Sequence, residues 1–555
     1  MEERRLLLAV ALSLVVLTAY SLLFAPPPAP PPSPVPVVVP TPAAVAEAPR
    51  SEAAAAGAPA EARTVPAATP VAAEREHRVE VQAQDYTVAF TNRGARPVSW
   101  TLSRHRDARG GPEEMIPAQG AAVRPLDVET GDPAVDARLR DALFAPSAET
   151  VAVAGAEEAP LRFSWSDGDL AAEKALVFRA NGLVAVTVSV TRNGQPLPAR
   201  LAWGPGVGNP SAEEREVQGY QAPRAVVFTA GVVEPLEAAK LPPSGRDFAG
   251  VEWVGVESHY FAALFVAPGA AAAVRPIAMP ARPDEKPSVA PVAVVDASRP
   301  QPVQLFVGAK DHQAMAKLGH SLERVVPVGD WIGPIVVALM GLLRWVQSHV
   351  GNWGWSIVVL TVLINLAMAP FRHYSIVNGL KMAKLSPEMK AIQERYRKVP
   401  LMDPKRQQMQ EEIGALYAKH GMSMGSQMMV GCLPLLLTMP FLFAFYRVLT
   451  VSVELRGAPF LWISDLAQKD PLFLTPVLMG VSMFVMQKLT PSTMDPAQQR
   501  IMMLMPLMLA GMFLWAPAGL NLYWLTSNLW SILQQAVSLK FLHPALAPVR
   551  EKRAK

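Results

Sequence analysis

Amides, hydroxyls and aromatic rings recur inside stretches of this chain that are otherwise apolar. Thr361 and Asn365 lie four apart, the spacing of one helix face. A later run carries Asn521, Thr526, Ser527, Asn528, Ser531, Gln534 and Gln535 beside Tyr523 and Trp524. For any one such residue the plain role is glue between helices, a hydrogen bond contributing roughly 0.6 to 2 kcal/mol. Their density in the last run points further, to a wetted cavity, because polar groups without partners are costly in hydrocarbon. Covalent chemistry finds no footing. There is no GxxxxGK[ST] phosphate loop, no HExxH and no GxSxG, and His77, His105, His259, His312 and His320 lack metal-ligand spacing. The expectation is a surface that binds and guides, without catalysis, nucleotide hydrolysis, metal or other cofactor.

The elements that must position these residues are membrane spans. Apolar residues make up 51% of the 555 and charged residues only 18%, which disfavours a wholly soluble chain. Residues 1–25 read as an uncleaved transmembrane anchor, because the apolar run of about 20 residues after Arg4 and Arg5 exceeds the roughly 7 to 15 of a signal peptide. Further spans are expected at 351–371, 427–450, 471–487, 501–516 and 519–537. With the anchor that makes six, which leaves both termini in the cytoplasm. Loop charge agrees with this parity. Residues 372–426 carry Arg372, Lys381, Lys384, Lys390, Arg395, Arg397, Lys398, Lys405, Arg406 and Lys419, whereas 451–470 carries only Arg456 and Lys469. Residues 311–350 read as connecting and interfacial helices, with Trp331 and Trp345 at headgroup level.

The segment 26–76 is rich in Pro and Ala and reads as an extended, semi-rigid linker leading away from the membrane. Residues 77–310 alternate apolar and polar side chains. Tyr86, Val88 and Phe90 precede a turn at 92–94; Leu161, Phe163 and Trp165 precede Asp167-Gly168; Val184, Val186, Val188 and Val190 precede Asn193-Gly194. These are antiparallel strands of a β-sandwich. Cys432 is the single cysteine, so this domain must fold by its core without an intrachain disulfide.

The basic loop 372–426 reads as a helical hairpin. Ser386 with Pro387 starts one helix, with Met389, Ile392 and Tyr396 on its apolar face; Asp403 with Pro404 starts the other, with Met409, Ile413, Leu416 and Tyr417, and Gly421 ends it. Lys390, Arg395, Arg397, Lys405 and Arg406 are left either to lie near anionic lipid, worth about 1 kcal/mol each, or to dock a translation or targeting partner. The same choice stands for the basic tail, 538–555. The run 501–516 covers about 24 Å as a helix, short of a hydrocarbon core of ~30 Å. Its Met502, Met503, Met505, Met508 and Met512 form a pliable apolar surface.

Several motifs occur in order with spans between them. They are Gly351-Asn352-Trp353-Gly354, the basic hairpin, Gly431-Cys432-Leu433-Pro434, Val453-Glu454-Leu455-Arg456 followed by Ala458-Pro459-Phe460, Asp495-Pro496, and residues 305–310. In these the chain resembles the YidC family of membrane protein insertases of Gram-negative bacteria. The resemblance implies a multi-pass α-helical protein of the bacterial inner membrane, six transmembrane helices with five forming the core, plus a periplasmic all-β supersandwich domain. It implies insertion of nascent membrane proteins through a groove open to cytoplasm and lipid, alone or beside the Sec translocon. Ribosome and signal recognition components and anionic lipids are the other expected partners, with no sequence-specific nucleic-acid binding. On this reading Thr361, Asn365, Tyr523, Trp524 and Asn528 line the groove, and Cys432, Leu435, Met505, Met508 and Met512 form the slide along which an apolar segment moves. One position departs: the family's groove usually carries an Arg where this chain has Asn365, and Arg372 follows seven residues later. The runner-up is a membrane-anchored sugar-binding or mutarotase-like protein acting through the β domain. That reading needs a converging His and carboxylate, which the sequence does not place.

Overall fold

A computed structural model describes residues 70–107, 109–118, 122–155, 158–280, 288–329, 331–396, 399–400, 403–420, 439–490 and 496–542. Within them an N-terminal β-rich region is followed by a helical region. The expected anchor and most of the linker lie outside the described residues.

Two sheets make the β region. The smaller runs in the order β4 (Pro112–Glu114), β3 (Arg96–Arg106), β2 (Tyr86–Thr91), β1 (Arg78–Gln82) and β7 (Thr150–Ala152). The path of the larger begins with β14 (Val232–Leu236), β13 (Arg224–Thr229), β15 (Arg246–Glu257), β16 (Phe261–Ala278) and β18 (Val303–Ala309). It continues through β10 (Leu183–Arg192), β9 (Leu170–Phe178), β8 (Ala159–Ser166) and β6 (Ala145–Pro146). β17 (Val289–Asp296), β12 (Arg200–Trp203) and β5 (Asp127–Glu129) branch from β16, and β11 (Gln195–Pro196) from β10. Alternation along each strand produces the core: Phe90 and Trp100 of the small sheet meet Phe163 and Trp203 of the large one, with ring centroids 5.6 and 6.2 Å apart. Lys174, fully buried, ties the layers, donating to the carbonyls of Gly94 (3.2 Å), Ala95 (2.7 Å) and Leu126 (2.8 Å). At the β10–β11 hairpin Asn193 and Gly194 take φ of 51° and 75°, the left-handed pair that a type I′ turn demands. The linker stops sooner than 76, because Val71 and Ser166 exchange backbone hydrogen bonds of 2.9 and 2.7 Å at the end of β8.

Helices α1 (Pro133–Asp141), α2 (Ala212–Glu216) and α3 (His312–Leu318) decorate the β region. Then come α4 (Gly333–Val350), α5 (Trp353–Arg395), α6 (Lys405–Lys419), α7 (Met439–Val451), α8 (Leu474–Leu489), α9 (Pro496–Met512) and α10 (Ala518–Val537). By length and composition α5 is the one described helix long and apolar enough to cross a membrane; α7 and α8 are shorter apolar helices. α4 buries Val336, Leu339, Met340 and Leu343, whereas Trp345 on it and Trp331 just before it are exposed.

The helices overrun the apolar windows, since a hydrogen-bond ladder continues where hydrophobicity stops. The window 471–487 becomes α8, 501–516 becomes α9 plus a 3₁₀ turn at Phe513–Trp515, and 519–537 becomes α10. The first arm of the hairpin is corrected most. No helix starts at Ser386; α5 runs unbroken through Pro370 and Pro387. An interior Pro costs about 3 kcal/mol, and here Leu385, Met389 and Ile392 on both sides of Pro387 are buried against Met409, Ile413, Leu416 and Tyr417 of α6, which offsets it.

The two regions meet in part through His259, which sits in a charged corner of the β region and reaches Thr450 of the helical region. Lys310 and Arg224 both bind Glu257, at 2.9 and 2.7 Å, next to His259. The His259 ring accepts the Gln221 N–H at Nδ1 (3.1 Å) and faces the Thr450 carbonyl with Nε2 (2.9 Å), so the neutral Nε2–H tautomer satisfies both. Burial, then the Lys310 charge, hold its pKa down to about 4, against 6.5 when unfolded. The unfolded chain therefore binds more protons between these values, and stability present above pH 6.5 is lost as pH falls toward 4. The full loss is about 3 kcal/mol. Unfolding midpoints in detergent micelles should drop between pH 7 and 4.5 for the parent, and less for His259→Gln; equal drops would remove His259 from the account.

Candidate functional site

The outer end of α5 is pinned first. Asn352 caps it, accepting the Trp355 N–H (3.1 Å), and its amide donates to the Pro459 carbonyl (3.1 Å). Two turns on, Thr361 is fully buried and its hydroxyl returns to the Ile357 carbonyl (2.6 Å). Asn365 donates to the Thr361 carbonyl (2.8 Å) and its oxygen faces the Ser527 hydroxyl of α10 at 3.4 Å. Further along, Gln534 donates to the Ala369 carbonyl (2.7 Å), and the Arg372 guanidinium donates to Ser531 Oγ. From Asn365–Ser527 to the later pairs Ala369–Gln534 and Arg372–Ser531 the contacts move toward the C-terminal ends of both helices, so α5 and α10 run parallel. On the neighbouring face of α10, Asn528 donates to Ser482 Oγ of α8 (3.0 Å). A continuous polar seam thus joins α5, α10 and α8.

Thr361, Asn365 and Asn528 belong to that seam. Tyr523 and Trp524 lie one turn before Ser527 and Asn528 on the same faces of α10, and they make ring contacts there in place of seam hydrogen bonds. Tyr523 stacks on Phe445 of α7, centroids 4.2 Å apart, and Trp524 meets the edge of Phe513 at 4.9 Å. Ser482 and Gln487 were missed by sequence reasoning, although they interrupt the apolar run of α8. Pairing is incomplete in and beside the seam: the side-chain oxygens of Gln534, Gln487 and Asn521 are buried with no hydrogen-bond partner among the described residues. Buried amide oxygens of this kind favour a polar partner, and water or a passing polar group fits.

Beside the seam, α9 packs tightly on α8, where a Cβ at Gly480 would lie 2.8 Å from that of Ala510. Its other side is an apolar surface. Met505, Met508 and Met512 are 41%, 74% and 51% exposed, and Leu504 and Leu507 beside them are exposed too. Cys432 and Leu435 lie outside the described residues, as does Arg397. Among the other hairpin cations, Lys390 and Lys405 are exposed. Arg395 is engaged by Glu412 (2.7 Å), and Arg406 donates to the Val399 carbonyl (3.1 Å).

Two family models match the chain: 60Kd inner membrane protein over residues 345–544, and YidC periplasmic domain over residues 78–341. A membrane protein insertase YidC of Geobacter metallireducens is 32% identical over 98% of this chain and 100% of its own length. The chain belongs to the YidC family of membrane protein insertases. Another relative, from Wolinella succinogenes, is 43% identical over 41% of each protein. A crystal structure of an active YidC insertase with its first transmembrane domain resolved covers 85% of this chain and 94% of its own, at 16% identity and a TM-score of 0.34. This insertase is an inner-membrane protein with a periplasmic domain, and its substrates are nascent membrane proteins. It is not an enzyme. The sugar-binding alternative is not favoured, since the family matches span both the β and the helical regions.

Proposed function

We propose that the seam between α5, α10 and α8 is the floor of a hydrated groove that carries the polar external flank of a nascent membrane protein across the bilayer. Thr361, Asn365 and Asn528 line it, with Tyr523 and Trp524 on its shoulder, while the client's apolar segment slides along Met505, Met508 and Met512 and along Cys432 and Leu435. Six transmembrane helices, five of them forming the core, enclose the groove, both termini are cytoplasmic, and the periplasmic sheets form a supersandwich. Lys390, Arg395, Arg397, Lys405 and Arg406 face the cytoplasm, where ribosome, signal recognition components or anionic lipid meet them; the Sec translocon is a lateral partner.

The observation that carries this reading is the juxtaposition of buried amide oxygens, unpaired among the described residues, with an exposed Met-rich helix. A wetted, shortened crossing lowers the barrier for polar groups. Transfer of the apolar segment, at roughly 0.3 to 0.6 kcal/mol for each strongly apolar residue, supplies the drive. A photoreactive residue at Met508 should capture stalled nascent membrane proteins; failure with every client would sink the reading.

Asn365 leaves that level of the seam without a fixed charge, and Arg372 bonds Ser531 further along. Asn365→Arg should therefore raise insertion of clients with acidic flanks relative to neutral ones, on the order of a few-fold, the worth of one partly screened charge pair. Equal, unchanged insertion of both clients argues against a groove role for this position.

A further inference from the structure

Between the β region and the outer ends of the helices lies a cleft of about 680 Å³. One wall is made by two strand ends, residues 104–106 of β3 and 307–309 of β18; the other by Trp353 and the loop 453–459. Both strands outrun a neighbour. β10 begins at Leu183, opposite Phe306, so residues 307–309 continue with β16 on one side and no strand on the other among the described residues. β2 begins at Tyr86, opposite Leu102, and β3 continues beyond it; Ser103 still donates to the Asp85 carbonyl (2.9 Å) and Arg456 takes the Arg106 carbonyl (2.8 Å), so the stretch without a strand on the β2 side among the described residues centres on His105. An open strand edge offers N–H and C=O groups to an extended chain, which can add to it as a further strand.

The walls are held in place. Arg344 of α4 joins Asp311 (2.7 Å) of the β region to Glu454 of the loop, and Arg456 of the same loop reaches Glu113 (2.7 Å) and Glu214. A preformed cleft loses little freedom on binding. Its arginines are largely engaged: Arg456 as described and Arg104 with Asp85 (2.7 Å), which leaves Arg106 without a carboxylate partner among the described residues. That is a poor headgroup site and a reasonable peptide site. Trp353 lies about 12 Å of helix above Thr361 and about 18 Å above Asn365 at 1.5 Å per residue, so the cleft stands over the seam.

We propose that this cleft receives the external flank of a client, as an added β-strand, once the flank has passed the seam. The inference rests on the groove reading of the seam. It is tested in the full-length insertase with a photoreactive residue at Ala309, at exposed Asn181 as a second cleft position, and separately at Asn528 in the seam. Stalled clients with flanks of increasing length are offered to each. Capture at Asn528 is expected with short flanks, and at Ala309 or Asn181 only with flanks about six residues longer, at roughly 3.3 Å per extended residue. A flank with proline at alternate positions lacks the N–H donors and should lower cleft capture on the order of ten-fold, leaving Asn528 capture intact. Capture at Asn528 with none at either cleft position overturns the inference while leaving the groove reading standing. Equal capture of the proline flank, or capture of lipid alone, overturns it too. Loss of capture at all three positions is the failure of the groove reading, and the cleft falls with it.

Discussion

Arg456→Met is expected to cost the folded insertase about 3 to 5 kcal/mol, the loss usual when one member of a buried ion cluster is removed. The guanidinium donates to Glu113 (2.7 Å), to Glu214 and to the Arg106 carbonyl (2.8 Å), and sits 5.4 Å from the centroid of the Phe261 ring. Side-chain exposure is 7% for Arg456, 2% for Glu113 and 9% for Glu214, so solvent screens little of this. Methionine would leave two carboxylates facing each other in a poorly hydrated site. Burial already pushes Glu113 up to about 7, with Arg456 pulling it back, so the variant should shed charge by protonating it. Arg456→Met combined with Glu113→Gln and Glu214→Gln should therefore recover much of the loss. Thermal unfolding in micelles measures both. A single variant within about 0.5 kcal/mol of the parent, the range of ordinary surface substitutions, would mean that the cluster is solvated and does not hold the two regions together.

Gly354→Val should be nearly as damaging, at about 3 kcal/mol or more, the upper range for overpacking. A Cβ at Gly354 would lie 2.1 Å from Cδ2, 2.2 Å from Cγ and 2.6 Å from Cβ of Phe460. Those atoms are close to the Phe460 backbone and cannot swing aside, because Phe460 and Ile463 exchange hydrogen bonds of 2.8 Å in each direction. The start of α5 would be displaced, and Thr361 and Asn365 with it. Reduced levels of intact protein in membranes and a lowered unfolding midpoint are the readouts. Adding Phe460→Ala should restore part of both; a double variant no better than Gly354→Val would rule out the steric cause.

These two positions also measure how far the chain could be read unaided. Gly354 and Arg456 both lie in motifs that suggested a family, yet no periodicity explained why a glycine or an arginine stands there. The reasons are a ring from a loop more than 100 residues later, and carboxylates up to 343 residues earlier. Regular local patterns were legible. Alternation at 86–90, 161–165 and 184–190 falls on strands β2, β8 and β10, and the stripes Met389, Ile392, Tyr396 and Met409, Ile413, Leu416, Tyr417 do meet in one small core. The helix start placed at Ser386 failed because capping signals are weaker than a buried face that continues across Pro387.

By itself, then, the sequence determined the order of β-rich and helical regions, the hairpin faces and the polar residues inside apolar helices, because each of these follows from neighbours a few positions apart. Only the tertiary structure decided which polar residues form one seam. Asn365 meets Ser527 across 162 positions and Asn528 meets Ser482 across 46, whereas Tyr523 and Trp524, adjacent in the same helix, turn to other partners. Helix packing sets those pairings, and it depends on which faces come together in three dimensions.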